Sequence, residues 1–242
     1  MGQLARADLE ALLRTRKLDV TLTSARPLVD PASRLEAVVP TGLADLDARL
    51  GGGLPRGELS SLAGPPSSGR SSLLCGVLAS ATRRGELVAL IDTRDTFDPE
   101  SAAAAGVALA RLLWVRGGPV SSADSTQSTI ERQVDRALKA FNLVLQAGGF
   151  GVVALDLADV AAASLRGVPF TTWLRLARVV EGGRTACVLV GAQPIARSPG
   201  GVTIALEGGR SVSRWTGVPD RARLFRGLDL RPRVMSARRE VA

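Results

Sequence analysis

Gly64-Pro65-Pro66-Ser67-Ser68-Gly69-Arg70-Ser71-Ser72 is fed by a strand, Glu58 to Ala63, and opens an apolar helix, Arg70 to Arg84. Its spacing is that of a phosphate-binding loop. In such a loop backbone N–H groups surround phosphate oxygens, a lysine reaches the terminal phosphates and a hydroxyl meets magnesium. Here the lysine position holds Arg70. A glycine-rich turn between an apolar strand and an apolar helix predicts an α/β arrangement whatever its chemistry.

Downstream the chain alternates between short apolar runs and helical spacing. The helix opened by the loop stops at Gly85, and Leu87 to Asp92 is a short apolar strand that ends in an acid. A helix begins at Asp98-Pro99-Glu100 with proline at its first position, and a strand follows over Leu112 to Val115. Ile130, Val134, Ala137, Leu138, Phe141, Val144 and Leu145 keep helical spacing, which predicts a long helix from near Ser122 to Ala147, stopped by Gly148-Gly149. Val152 to Asp156 is a second apolar strand ending in a carboxylate. A helix around Thr171 to Val180 and a buried strand, Ala186 to Val190, come next. Val202 to Leu206, Ser211 to Trp215 and Arg223 to Val234 read as short strands that extend the sheet antiparallel, with Pro232 marking an edge or a bulge. The expected fold class is α/β: three layers, a mostly parallel sheet with antiparallel C-terminal strands, and a site at the C-terminal ends of the parallel strands.

Upstream, Leu4, Leu9, Leu12 and Leu13 fall roughly on one side of a helix over Leu4 to Lys17, and residues 20–40, with Pro27, Pro31 and Pro40, have linker composition. This divides the chain into an N-terminal helix over 1–19, a linker over 20–40 and a core over 41–242 with basic C-terminal strands. The N-terminal helix docks either on its own domain or on another protein, and its spacing favours neither.

The net charge is +8, from 31 basic and 23 acidic residues, and every basic residue except Lys17 and Lys139 is arginine. That balance favours an anionic partner, although arginine together with 26 glycines is also what a base-composition bias produces. The first twenty residues carry charges throughout, and nowhere do about 18 uncharged apolar residues run together. A soluble, cytoplasmic protein with no membrane partner is expected. Cys75 and Cys187 sit among apolar neighbours and read as buried free thiols. With no histidine in the chain, zinc chemistry and imidazole acid–base catalysis lose their usual residues. Trp114, Trp173 and Trp215 are scattered and read as packing residues.

Thr41-Gly42 with Leu46-Asp47, then Gly53-Leu54-Pro55-Arg56-Gly57, the loop, Ile91-Asp92 and Leu155-Asp156 together resemble the ATPase core of the RecA family, from about Val39 to the C-terminus. The resemblance implies a RecA-like fold and a nucleotide site around Gly64, Ser68, Gly69, Arg70, Ser71, Ser72, Asp92, Arg94, Asp156 and Gln193. Several working parts differ from the family pattern. Arg70 replaces the loop lysine with a longer planar fork. Where the family follows its Ile-Asp strand with a glutamate that activates water, Arg94 stands after Ile91-Asp92-Thr93, and a cation cannot be that base. The adenine-stacking tyrosine corresponds to Ser101, and the two lysines that reach a neighbouring protomer's nucleotide correspond to Ser236 and Arg238. Ser71, Asp156 and Gln193 keep the magnesium hydroxyl, the strand-terminal acid and the γ-phosphate-sensing glutamine. The segments matching the DNA-binding loops, Leu157 to Pro169 and Pro194 to Gly201, are short. Phosphoryl transfer relies on several groups acting together, so these losses imply a degenerate site: no catalytic residue, no required cofactor, and vestigial ATP and magnesium binding at most.

Among RecA relatives the chain most resembles ImuA proteins. That resemblance implies an accessory role in damage-induced (SOS) translesion DNA synthesis and mutagenesis, with DNA, an ImuB-type Y-family-like polymerase subunit, an error-prone replicative-type polymerase and RecA as partners. Arg210, Arg214, Arg221, Arg223, Arg226, Arg231, Arg233, Arg238 and Arg239 form a phosphate-binding surface if they share a face, and a solvated charged face if they do not. Two other functions stay open: an active DNA-dependent RecA-family ATPase, and a SulA-like cell-division inhibitor. For the loop itself a structural glycine turn outweighs weak phosphate binding. Asp92 and Asp156 are expected to pair with Arg70 or Arg94, so that a protein ion pair replaces magnesium and phosphate.

Overall fold

The computed structural model describes residues 36–118, 126–207, 212–218 and 224–236. Strands whose residues are apolar without alternation can only be satisfied when both faces are covered, and these strands occupy the middle of the sheet. They are β4 (Leu87–Asp92), β6 (Phe150–Asp156) and β7 (Ala186–Gly191), and beside β7 lies β3 (Glu58–Ala63), where Leu59, Leu62 and Ala63 accompany the buried Ser60 and Ser61. With β5 (Leu112–Arg116), β8 (Thr203–Leu206) and β11 (Pro232–Ser236) they form one seven-stranded sheet in the order β11-β8-β3-β7-β6-β4-β5. All pairings are parallel except that of β11 with β8. Two small antiparallel pairs stand apart from it: β1 (Val38–Val39) with β2 (Leu54–Pro55), and β9 (Val212–Thr216) with β10 (Leu224–Asp229).

Residues alternate faces along each strand, and the two faces carry separate cores. Val88 and Leu90 of β4, Val152 and Ala154 of β6 and Val188 and Val190 of β7 meet Leu73, Leu74, Val77 and Leu78 of helix α2 (Arg70–Arg83). Val39, Leu46 and Leu54 close that side, with Leu46 supplied by the short helix α1 (Ala44–Arg49). On the opposite face Ala89, Ile91, Val153, Leu155, Cys187 and Leu189 meet Val134 and Phe141 of α4 (Gln127–Ala147) and Trp173 and Leu176 of α6 (Phe170–Val180). Between β4 and β5 lies α3 (Pro99–Ala104), and between β6 and α6 lies α5 (Ala162–Arg166). The expected three-layer α/β fold is what the chain forms.

Four details differ from the expectation. Val38–Val39, placed at the end of the linker, is a strand whose Val39 is fully buried, because β2 pairs with it and Leu54 packs beside it; residues 1–35 lie outside the described residues. β8 runs parallel to β3, not antiparallel. A parallel neighbour needs a crossover of roughly a dozen residues, and the irregular segment 192–202 supplies it without a helix. The β9–β10 hairpin does not extend the main sheet. Cys75 is half-buried; burial first, then the charges of Asp156 and Asp98, push its thiol up. Cys187 is buried as expected, and both are free thiols.

Candidate phosphate-loop site

The loop leaves β3 at Ala63, between β7 and β8, where the Gly64 N–H donates to the Gly191 carbonyl at 3.0 Å. A Cβ on Gly64 would meet the Leu206 carbonyl oxygen at 2.7 Å and collide with the Ser68 hydroxyl, so only glycine passes there. Ser67 has a positive φ of 61°, and Gly69 turns into α2 in the left-handed region with no side-chain cap. Pro65, Pro66, Ser67, Ser71 and Ser72 are exposed, whereas Ser68 is buried.

Arg70 is the decisive residue. Its side chain is only 7% exposed. One guanidinium nitrogen, Nη1, donates to the Gly64 carbonyl at 2.7 Å, and Nη2 donates to Asp159 Oδ1 at 2.8 Å. The guanidinium therefore ties the first residue of the loop to the turn after β6. The expected partners, Asp92 and Asp156, are not its ion-pair partners, because each already answers backbone N–H groups. Asp92, 1% exposed, accepts from the N–H groups of Thr96 at 3.1 Å and Phe97 at 2.9 Å and from the Trp114 indole at 3.3 Å. Asp156 accepts from Ala158 N–H at 2.8 Å. Burial pushes the Asp156 carboxyl up to about 6; the Ala158 bond and Arg70 oppose this, and the charges of Asp92 and Asp159 add to it.

The other residues of the expected site are scattered by comparison. Arg94 is half-buried and makes no hydrogen bond or ion pair among the described residues, so the second expected Arg–Asp pair is absent from them. Gln193 is exposed beyond the end of β7, and Ser71 and Ser72 lie on the outer side of the first turn of α2. Ser101, where the resemblance puts an adenine platform, hydrogen-bonds Asp98, which caps α3. Ser236 ends β11, and Arg238 lies outside the described residues.

Beyond the end of β4, segment 93–98 is held by groups that periodicity could not reveal. Phe97 meets Trp114 edge to face with centroids 5.3 Å apart, and the Arg116 guanidinium lies 4.6 Å over the indole. Arg116 also grips Asp95 with two bonds of 2.8 Å, and that hydrogen bonding holds the Asp95 carboxyl below its usual range. Asp159 belongs to no motif, and its one signal in the sequence is its place three residues past the strand-terminal Asp156.

Among the described residues the C-terminal arginines differ in their partners. Arg214 of β9 pairs with Asp229 of β10 at 3.2 Å, and Arg233 of β11 pairs with Glu207 at 3.6 Å. Arg231 is exposed and unpaired among the described residues. Arg210, Arg221, Arg223, Arg238 and Arg239 lie outside the described residues, as does the side chain of Arg226. No helix among the described residues is long and apolar enough to cross a membrane.

A glycine loop joining a central parallel strand to an apolar helix, with acids ending two neighbouring strands, defines a P-loop α/β domain. The family model described as RecA N-terminal domain matches residues 24–163, more than half of the 242 residues, and the chain belongs to that family. Curated relatives include Protein RecA of Clavibacter michiganensis, 36% identical over 121 residues, which are 50% of this chain and 30% of the relative. Protein RecA of Salinispora tropica is 35% identical over 132 residues, 54% of this chain and 32% of the relative. Protein RecA of Acidothermus cellulolyticus is 37% identical over 120 residues, 49% and 31% respectively. The chain thus spans about a third of the length of the curated relatives it matches.

The family implies a nucleoside triphosphate and magnesium at this loop, and the residues in their present arrangement do not fit that pair. The loop's cation is spent on a carbonyl and a carboxylate of the protein itself. Both Asp92 oxygens already accept N–H bonds, and no acid stands at position 94 to serve as a base.

Proposed function

We propose that the chain is a catalytically degenerate RecA-like accessory protein of damage-induced translesion DNA synthesis, binding DNA and an ImuB-type polymerase-like subunit without hydrolysing ATP. The observation that carries this reading is the commitment of Arg70 to Gly64 and Asp159, in a loop whose neighbouring base position is Arg94. Phosphoryl transfer draws its rate from cations and a positioned base acting on the same phosphate; here the loop's own cation is committed within the protein and an arginine stands where the base would be. Family membership, the +8 charge and the ImuA-like departures from the RecA pattern support the DNA and polymerase partners.

The test is phosphate release by the purified full chain with ATP and single-stranded DNA, alongside co-purification with an ImuB-type subunit. Release at the buffer rate together with retention of the subunit is expected. The rival, an active DNA-dependent ATPase, is favoured by the retained Ser71, Asp156 and Gln193. DNA-stimulated hydrolysis that disappears in Asp156→Asn would establish it and overturn the accessory reading.

A further inference from the structure

We infer that Asp159 closes the phosphate loop: its carboxylate serves Arg70 as an internal substitute for an anionic ligand, so the Arg70–Asp159 pair, rather than arginine as such, keeps phosphates out. This rests on the reading above that the loop holds no ATP.

A guanidinium recognises carboxylate and phosphate oxygens by the same charge-assisted N–H···O geometry. Here that recognition is already satisfied, at 2.8 Å, by a residue of the chain. Burying a guanidinium without a counter-charge is costly, so the buried pose of Arg70 depends on Asp159. The two partners are unequal. Arg70 is 7% exposed and Asp159 46%, which places the carboxylate at the outer end of the pair, where a soluble anion would arrive. Asp159 has no other ion-pair or hydrogen-bond role among the described residues, and its turn is held independently by the Val160 N–H to Leu157 carbonyl bond. Its loss therefore leaves the backbone in place. The charges agree: Asp92, Asp156 and Asp159 surround a site whose one committed cation is already neutralised, an environment hostile to a polyanion. Removing Asp159 lowers that repulsion and frees Arg70 together. The exposed Pro65 to Ser67 and Ser71 leave the loop reachable once it opens.

An internal competitor lowers apparent affinity by the fraction of time the site is open, so neutralising it raises affinity by the reciprocal of that fraction. The experiment is equilibrium dialysis of the full chain against magnesium ATP, with adenosine as the probe that lacks phosphates. Asp159→Asn is expected to bind ATP about tenfold or more tightly than the wild type, Asp159→Glu to stay at the wild-type value, and adenosine binding to be the same in all three. Asp159→Ser carries the same expectation as Asp159→Asn and stands in for it if the amide variant misfolds. Equal ATP affinity in the wild type and a folded Asp159→Asn or Asp159→Ser would overturn the inference, as would an equal gain for adenosine. Hydrolysis by the wild type is a separate result: it would defeat the accessory function while the affinity ratio still judged Asp159.

Discussion

Asp92 and Trp114 are joined through the indole, whose Nε1–H donates to Asp92 Oδ2 at 3.3 Å while the backbone N–H groups of Thr96 and Phe97 donate to the same carboxylate. The acid that ends β4 is thereby an anchor for segment 93–98. Asp92→Asn replaces one acceptor oxygen with a donor and removes the charge that strengthens every bond. A loss of about 1–3 kcal/mol is expected, read as a lower urea midpoint at unchanged slope. Adding magnesium should leave the midpoints of both proteins where they were; a magnesium shift confined to the wild type would return Asp92 to a metal-binding role.

Asp156 predicts a pH dependence of unusual sign for an acid. Its folded carboxyl sits at about 6 against an ordinary 3.8, so the folded state holds the proton more tightly than the unfolded chain. This group's penalty is therefore absent below about pH 4, grows as pH rises toward about 6, and is complete above it. Asp156→Asn keeps an oxygen for the Ala158 N–H and removes the buried charge. At neutral pH the variant should be more stable than the wild type by about 1–3 kcal/mol, and the two denaturation curves should converge in acid. A variant less stable at neutral pH would mean that the carboxylate is satisfied by charge it was not credited with.

Gly64 is required for space. Gly64→Ala drives a methyl into the Leu206 carbonyl and the Ser68 hydroxyl, and neither the backbone of β8 nor the buried serine can retreat freely. Overpacking of this kind costs about 1–3 kcal/mol, and because β8 pairs with both β3 and β11 the damage should spread into the C-terminal strand. Faster amide exchange at Ile204 and Val234 than at Leu90 would report it.

For the DNA interaction, the arginines divide by their partners. Arg231 has no acid partner among the described residues, whereas Arg214 and Arg233 face Asp229 and Glu207. Arg231→Ala should weaken binding to single-stranded DNA and lower the slope of log affinity against log salt by about 1. Arg214→Ala and Arg233→Ala should change the slope less, since their charge is already matched. Fluorescence anisotropy across a salt series separates these outcomes; equal slopes for all three would place the DNA elsewhere.

Much of the architecture is encoded in local residue order. Val88 to Ile91, Val152 to Leu155 and Ala186 to Val190 are apolar at successive positions, which demands cover on both faces and so a parallel centre. The glycines at 64 and 69 mark the strand-to-helix turn, and Arg70 and Arg94 are visible as departures from the family's chemistry before any coordinates. Backbone conformation and burial follow from near neighbours, and near neighbours are what a sequence displays. The partner of Arg70 does not follow from them. Asp159 lies 89 positions away, and it receives the guanidinium because Asp92 and Asp156 are already engaged by N–H groups brought to them by segments 96–97 and 157–158 and by an indole on the next strand. Which of three acids pairs with one buried cation is a competition decided by hydrogen bonds that exist only once the sheet is assembled. The direction of β8 and the detachment of the β9–β10 hairpin belong to the same class, since strand pairing depends on which edge is left open when the loops close. Residue order thus determined the layers and the loop, and tertiary structure decided what the loop's arginine holds.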